Sequence, residues 1–267
     1  NKIIEVYYSR PLITDRADAV ETNGRLNGEI EFRDVSFGYD EGKEVLSHIS
    51  FKINAGETVA IMGETGSGKT SLINLIPRCY DATSGEVLVD GVNVRYRKLH
   101  DLRKNIGVAM QDVLLWSDTI EGNIAFYDSD MSLDEVKKYA KLADADEFAS
   151  KLSEGYDTIV GERGVGLSGG QKQRISLARA LAMQPAILIL DDTTSAVDTE
   201  TERQIQHNLK NLDFNCTKLI IAQRTSSAKN ADRIMIIKDG KVAQFGTHDE
   251  LMQDKNGYYY EIYTLQN

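Results

Sequence analysis

The chain has 267 residues, 41% apolar and 27% charged, with a net charge of −10 and two cysteines, Cys79 and Cys216. That length fits one large domain, or a domain with a subdomain. An acidic surface argues against a nucleic-acid partner, because phosphates need Lys and Arg to neutralise them. The longest apolar runs are about five residues, too short to span a bilayer. Two cysteines without CxxC spacing read as reduced thiols. No signal peptide is visible, and the chain begins at Asn1 rather than Met, which reads as a piece of a longer polypeptide.

Residues 1–28 are polar and mixed and read as the end of a helix followed by a linker. Alternation starts at Ile30, and Phe32, Val35 and Phe37 follow near strand spacing with a break at Asp34. "ISFKI" and "TVAIMG" are predicted strands, and "KTSLINLIPR" a helix with Leu72, Leu75 and Ile76 on one face. "GEVLVDG" and "NIGVAM" are further strands. From Thr119 the pattern turns helical, with Leu133, Val136, Ala140 and Ala143 in register. "GGQKQRISLARALAM" is a helix opening at glycines. "AILILD" and "KLIIA" are short and wholly apolar, as strands of a parallel sheet buried on both faces are. Strands alternating with helices give an α/β core, and the helical stretch reads as an insertion into it.

"GETGSGKT", Gly63 to Thr70, lies between an apolar strand and a helix. Its glycines, Gly63, Gly66 and Gly68, let backbone N–H groups of Glu64, Thr65, Ser67 and Ser71 curl toward phosphate oxygens. Lys69 reaches terminal phosphates, and the Thr70 hydroxyl is a ligand for Mg²⁺. Asp191, after "ILIL", is the expected second Mg²⁺ ligand beside those phosphates.

These residues, followed by "LSGGQKQR" at 167–174 and "ILILDD" at 187–192, resemble the ATP-binding cassette (ABC) ATPases over about residues 28–267. The resemblance implies a P-loop NTPase core with a parallel sheet, an N-terminal antiparallel β subdomain and an inserted helical subdomain carrying the signature. The implied division is a linker at 1–28, a catalytic core at 29–112 and 185–267, and a helical subdomain at about 113–184. It makes Tyr39 the adenine-stacking ring, Gln111 a Q-loop amide touching Mg²⁺ or water, and "SAVD" (Ser195, Ala196, Val197, Asp198) the D-loop. In the family two cassettes dock head to tail. Leu167, Ser168, Gly169, Gly170 and Gln171 would then serve the ATP held by the partner.

"TIVGERG" (158–164) and "IIEVYYSRPLITD" (3–15) resemble exporter segments, the second joining a membrane domain to the cassette. The implied partners are a membrane domain of the same polypeptide and a second half-transporter. The implied place is the cytoplasmic face of a membrane. Trp116 sits where the family receives its membrane domain, and reads equally as a core or subdomain aromatic.

Two residues depart from the family. The acid after Asp191 is Asp192 where a Glu is usual, and Gln223 in "IAQR" stands where a histidine is usual. The Asp carboxylate is withdrawn by one C–C bond, about 1.5 Å. A misplacement near 1 Å costs on the order of 100-fold in rate, about 2.7 kcal/mol. Gln donates a hydrogen bond but carries no charge and accepts no proton. Both departures strike hydrolysis and leave binding intact, so this is expected to be the degenerate half of a heterodimeric exporter, its partner bearing the Glu and the His. The alternatives are a homodimeric exporter that works with Asp192, and a non-transport ABC protein acting as a mechanical clamp.

Overall fold

The computed structural model describes residues 11–39, 42–161, 166–193 and 196–266. In chain order the elements are β1 (Ile30–Phe37), β2 (Leu46–Ile53), β3 (Thr58–Met62), α1 (Lys69–Leu75), β4 (Ser84–Val89), β5 (Val92–Asn93), α2 (Leu99–Arg103), β6 (Ile106–Ala109), α3 (Ile120–Ile124), α4 (Leu133–Leu142) and α5 (Asp146–Lys151). They continue with α6 (Gly169–Ala182), β7 (Ile187–Asp191), α7 (Thr199–Lys210), β8 (Thr217–Ile221), α8 (Thr225–Ala228), β9 (Arg233–Lys238), β10 (Lys241–Gly246), α9 (His248–Gln253) and α10 (Tyr258–Gln266). Two sheets result: a four-stranded antiparallel sheet ordered β2-β1-β4-β5, and a six-stranded sheet ordered β10-β9-β3-β8-β7-β6. In the larger sheet β9, β3, β8, β7 and β6 run parallel and β10 is an antiparallel edge.

The wholly apolar strands are explained by burial on both faces. In β7, Ile187 and Ile189 join a core cluster with α1 and the smaller sheet, whereas Leu188 and Leu190 join a second cluster with α3, α4, α6 and α7. In β3, Val59 and Ile61 face the first cluster, while Ala60 and Met62 face a third that includes Tyr259 and Leu251. Alternate side chains of one strand thus feed two cores. The break expected at Asp34 is real: the register of β1 against β2 shifts between Phe32 and Val35, and Asp34 has φ 50°.

The stretch before β1 is not free of the body. Val20 pairs with Arg97 in a parallel bridge, Leu26 is buried, and the amides of Thr22 and Leu26 donate to Asp101 and Asn105. Gly28 enters the sheet at φ 95°, where a Cβ would stand 2.4 Å from the Ala186 carbonyl oxygen. Its own carbonyl accepts from the Thr217 hydroxyl at 2.7 Å, and that hydroxyl accepts from the Gly56 amide at 2.9 Å. Thr217 is fully buried, so one hydroxyl joins three segments. Thr217→Val keeps the volume and leaves a buried donor and acceptor unmade. It is expected to cost about 1–3 kcal/mol in chemical unfolding; a stability equal to wild type would show that the hydroxyl is not the joint.

Candidate functional site: an ATP-binding edge at the strand carboxyl ends

The phosphate loop follows β3, Asp191 closes β7, Gln223 follows β8 and Gln111 follows β6. Because these strands are parallel neighbours, all four segments emerge at one edge of the sheet, where ligands of open α/β sheets bind. The loop's shape depends on two glycines in particular. Gly63 has φ 147° and backs onto the Ile237 carbonyl, which a Cβ would meet at 2.1 Å. Gly68 has φ 103° and precedes α1. Gly66, also at positive φ (83°), has nothing within 4 Å of where a Cβ would stand.

Lys69 Nζ lies over this loop, donating to the carbonyls of Gly63 and Glu64 at 2.7 Å each. Burial pushes its pKa down, while Asp191 and Asp192 oppose that shift. The Asp191 carboxyl is 6% exposed, and burial raises its pKa against the opposing pull of Thr70 and Lys69. Thr70 Oγ1 donates to Asp191 Oδ2 at 3.4 Å. A hydroxyl facing a carboxylate is a hard-oxygen pair suited to Mg²⁺, which typically takes one or two protein ligands and the substrate's phosphate oxygens. Ser67 Oγ is buried without a hydrogen-bond partner among the described residues, a polar atom that fits a phosphate-bearing ligand.

The two departures from the family meet. Gln223 Nε2 donates to Asp192 Oδ2 at 2.6 Å. Asp192 itself has φ 50°, a left-handed conformation that Asp tolerates better than most side chains. Its carbonyl and the D-loop are braced by Gln173, a residue that motif reading passed over: the Gln173 amide donates to Asp192 O at 3.5 Å and accepts from the Ala196 amide at 3.2 Å. Its position on the buried face of α6 is the signal that could have found it. Ser195 lies outside the described residues. Val197 is buried and Asp198 caps α7, accepting from the Glu200 and Thr201 amides at 3.0 Å.

The other expected residues fall as follows. Tyr39 is 51% exposed, edge-on to Phe37 and Tyr80, with its hydroxyl 2.9 Å from Ser71 Oγ. Gln111 is exposed, just beyond β6. Ser168 caps α6, and with Gln171 forms a reciprocal capping box, so Gln171 has a structural role of its own. Leu167 packs on the second core cluster. A Cβ on Gly170 would meet the Ala196 carbonyl at 2.7 Å, so that glycine lets helix and D-loop touch. Trp116 is not a core aromatic: it is 46% exposed and stacks on Phe126 at 5.4 Å. Of "TIVGERG", residues 162–164 lie outside the described residues, as do residues 1–10.

A family model described as ABC transporter matches residues 46–195. The chain is 45% identical to the putative multidrug export ATP-binding/permease protein YgaD of Bacillus subtilis, over all of this chain and 46% of that protein. It is 45% identical to the ATP-dependent lipid A-core flippase of Syntrophus aciditrophicus, over 96% of this chain and 42% of the flippase. Its structure superposes on a bacterial Atm1-family ABC exporter with ATP bound at a TM-score of 0.93 and 36% identity, covering 99% of this chain and 46% of the exporter. The chain belongs to the ABC transporter family, as an ATP-binding, ATPase-type domain. It spans less than half the length of these relatives, and no helix among the described residues is long and apolar enough to cross a membrane.

A pH-dependent stability follows from Asp191. Burial raises its pKa above the unfolded value, so its ionisation opposes folding. The penalty is absent at a pH below the unfolded carboxylate range, grows as pH rises, and is complete above the raised pKa. Asp191→Asn is therefore expected to raise the melting temperature of the nucleotide-free chain at pH 8, on a scale of about 2–4 °C per kcal/mol. The gain should shrink toward pH 4. A gain that is the same at both pH values would assign the effect to packing instead.

Proposed function

We propose that this chain is the ATP-binding domain of an ABC exporter half, that its own ATP site is degenerate, and that its signature serves the site of a partner half. Tyr39 stacks on adenine, offering a flat apolar face to a purine. The loop from Gly63 to Ser71 cradles the phosphates. Thr70, Asp191 and Gln111 would hold Mg²⁺, which when bound neutralises charge on the phosphates. The observation that carries the degenerate reading is the Asp192–Gln223 hydrogen bond beside an intact phosphate loop. The carboxylate is short, and one of its oxygens is committed to an amide that takes no proton.

The membrane domain would dock where Trp116 and Phe126 stack in the open, near exposed Leu114 and Ile159. Exposed apolar clusters of this kind mark interaction sites. Arg179 on α6 pins the segment under them, donating to the carbonyls of Asn123 and Leu114. The relatives reported above are export proteins or flippases by name, which favours transport over a mechanical clamp. The domain then lies at the cytoplasmic face of a membrane, with residues 1–28 leading from the membrane domain.

The test is an asymmetry. Signature donors stabilise charge developing on the partner's γ-phosphate, and losing such donors typically costs 10²–10³-fold. Ser168→Arg is therefore expected to nearly abolish steady-state ATPase of the full complex. Its loss of a helix cap, about 1 kcal/mol, is too small to account for that. Gly170→Asp is the less clean change, since it also drives a side chain into Ala196. Asp192→Asn should leave most activity. Equal and severe loss from both would make Asp192 a working base and the exporter a homodimer. In the chain alone, Asp192→Glu combined with Gln223→His should raise ATP turnover; no rise in a variant shown to dimerise counts against the positional argument.

A further inference from the structure

The segment that carries Gln223 is held from outside the nucleotide edge. Helix α8 is a single turn whose N-cap, Arg224, supplies no side-chain cap. Helix starts leave amides without intrahelical partners. Here the need is met by a residue from the far end of the chain. The Thr225 amide and the Thr225 hydroxyl both donate to Oε1 of Gln266, at 2.8 and 2.9 Å. The other half of the same amide, Gln266 Nε2, donates to the Gln223 carbonyl at 3.3 Å. Thr225 is 1% exposed, so its polar groups have little recourse to water.

Gln266 is placed by α10, which is itself anchored. Tyr259 of that helix is fully buried, with its hydroxyl 2.8 Å from His248 Nδ1 on α9. The opposite side of the segment is held by Glu202 on α7, a buried carboxylate that accepts from Ser227 Oγ and, at 3.5 Å, from Arg224. The segment from Gln223 to Ser227 is thus gripped on two sides, and one grip bears directly on the backbone of the residue that reaches Asp192.

We propose that Gln266 is a positioning residue for the segment that carries Gln223: by holding the Thr225 amide and the Gln223 carbonyl, it sets where the Gln223 side chain meets Asp192. This rests on the reading of Gln223 as standing in the place of the family's histidine, but its first measurement needs no turnover. Hydrogen exchange is followed by mass spectrometry in the full-length transporter, as wild type, Gln266→Ala, Gln266→Glu and Leu265→Ala. In Gln266→Ala the amides of residues 223–226 are expected to exchange at least tenfold faster while the core strands keep their protection. Gln266→Glu retains the acceptor for Thr225 and should restore most of the protection there. Leu265 is 79% exposed, so Leu265→Ala should match wild type.

Unchanged exchange in Gln266→Ala, acceleration spread evenly over the chain, or a Glu variant as fast as the Ala variant would each overturn the proposal. A second measurement uses the Asp192→Glu, Gln223→His pair. Adding Gln266→Ala there should lower kcat at least threefold, with KM for ATP within twofold. An unchanged kcat in a pair that does turn over also overturns it. If the pair gains no turnover, the degenerate-site reading fails, and the exchange result still decides for Gln266.

Discussion

Five strands running in one direction are the constraint from which the nucleotide edge follows. Parallel pairing places Ala109 beside Leu190 and Asp191 beside Ile221, and carries β3 alongside β8. Residues that end or follow those strands are brought together without any contact in sequence. The loop before α1, two acids and two glutamines are carried to one edge of the sheet because their strands share a direction. A register slip of one residue in β7 would turn Asp191 to the other face of the sheet.

On the reading proposed above, that site would combine sound binding chemistry with compromised hydrolytic chemistry. Lys69, Thr70 and Asp191 lie close together, and burial works against the charge of both Lys69 and Asp191, a cost that a bound nucleotide and metal would offset. At the other pair one hydrogen bond is present: Gln223 Nε2 donates to Asp192 Oδ2. On that reading, an amide bonded to a short carboxylate would be poorly poised to polarise water.

The parts that were legible in the sequence are those in which chemistry and chain proximity coincide. The phosphate loop, the strand ending in Asp191 and the helix opening at Ser168 each declare themselves within a dozen residues. The wholly apolar strands also declared a parallel sheet. The parts that were not legible are held by partners far apart in the chain. Gln173, Glu202 and Gln266 look like ordinary polar residues on helices, and only tertiary placement aims one at Ala196, another at Ser227 and the third at Thr225. The contact between Gln223 and Asp192 was similarly hidden, because neighbouring strands β7 and β8 join residues 31 apart. Trp116 was ambiguous for the same reason: its exposure depends on packing that its own segment does not specify.

The brace made by Gln173 has a consequence for the assembled pair. One amide on α6 holds the backbone of Asp192 at one end and the D-loop at the other, while the first turn of the same helix presents the signature. Were a ligand to favour one position of that helix, and were Asp192 to move with the helix, the state of Asp192 would by linkage alter the affinity for that ligand by the same factor. In a head-to-tail sandwich, the occupancy of one nucleotide site would thus be written into the geometry of the other through a single side chain, with no need for the two sites to share an atom.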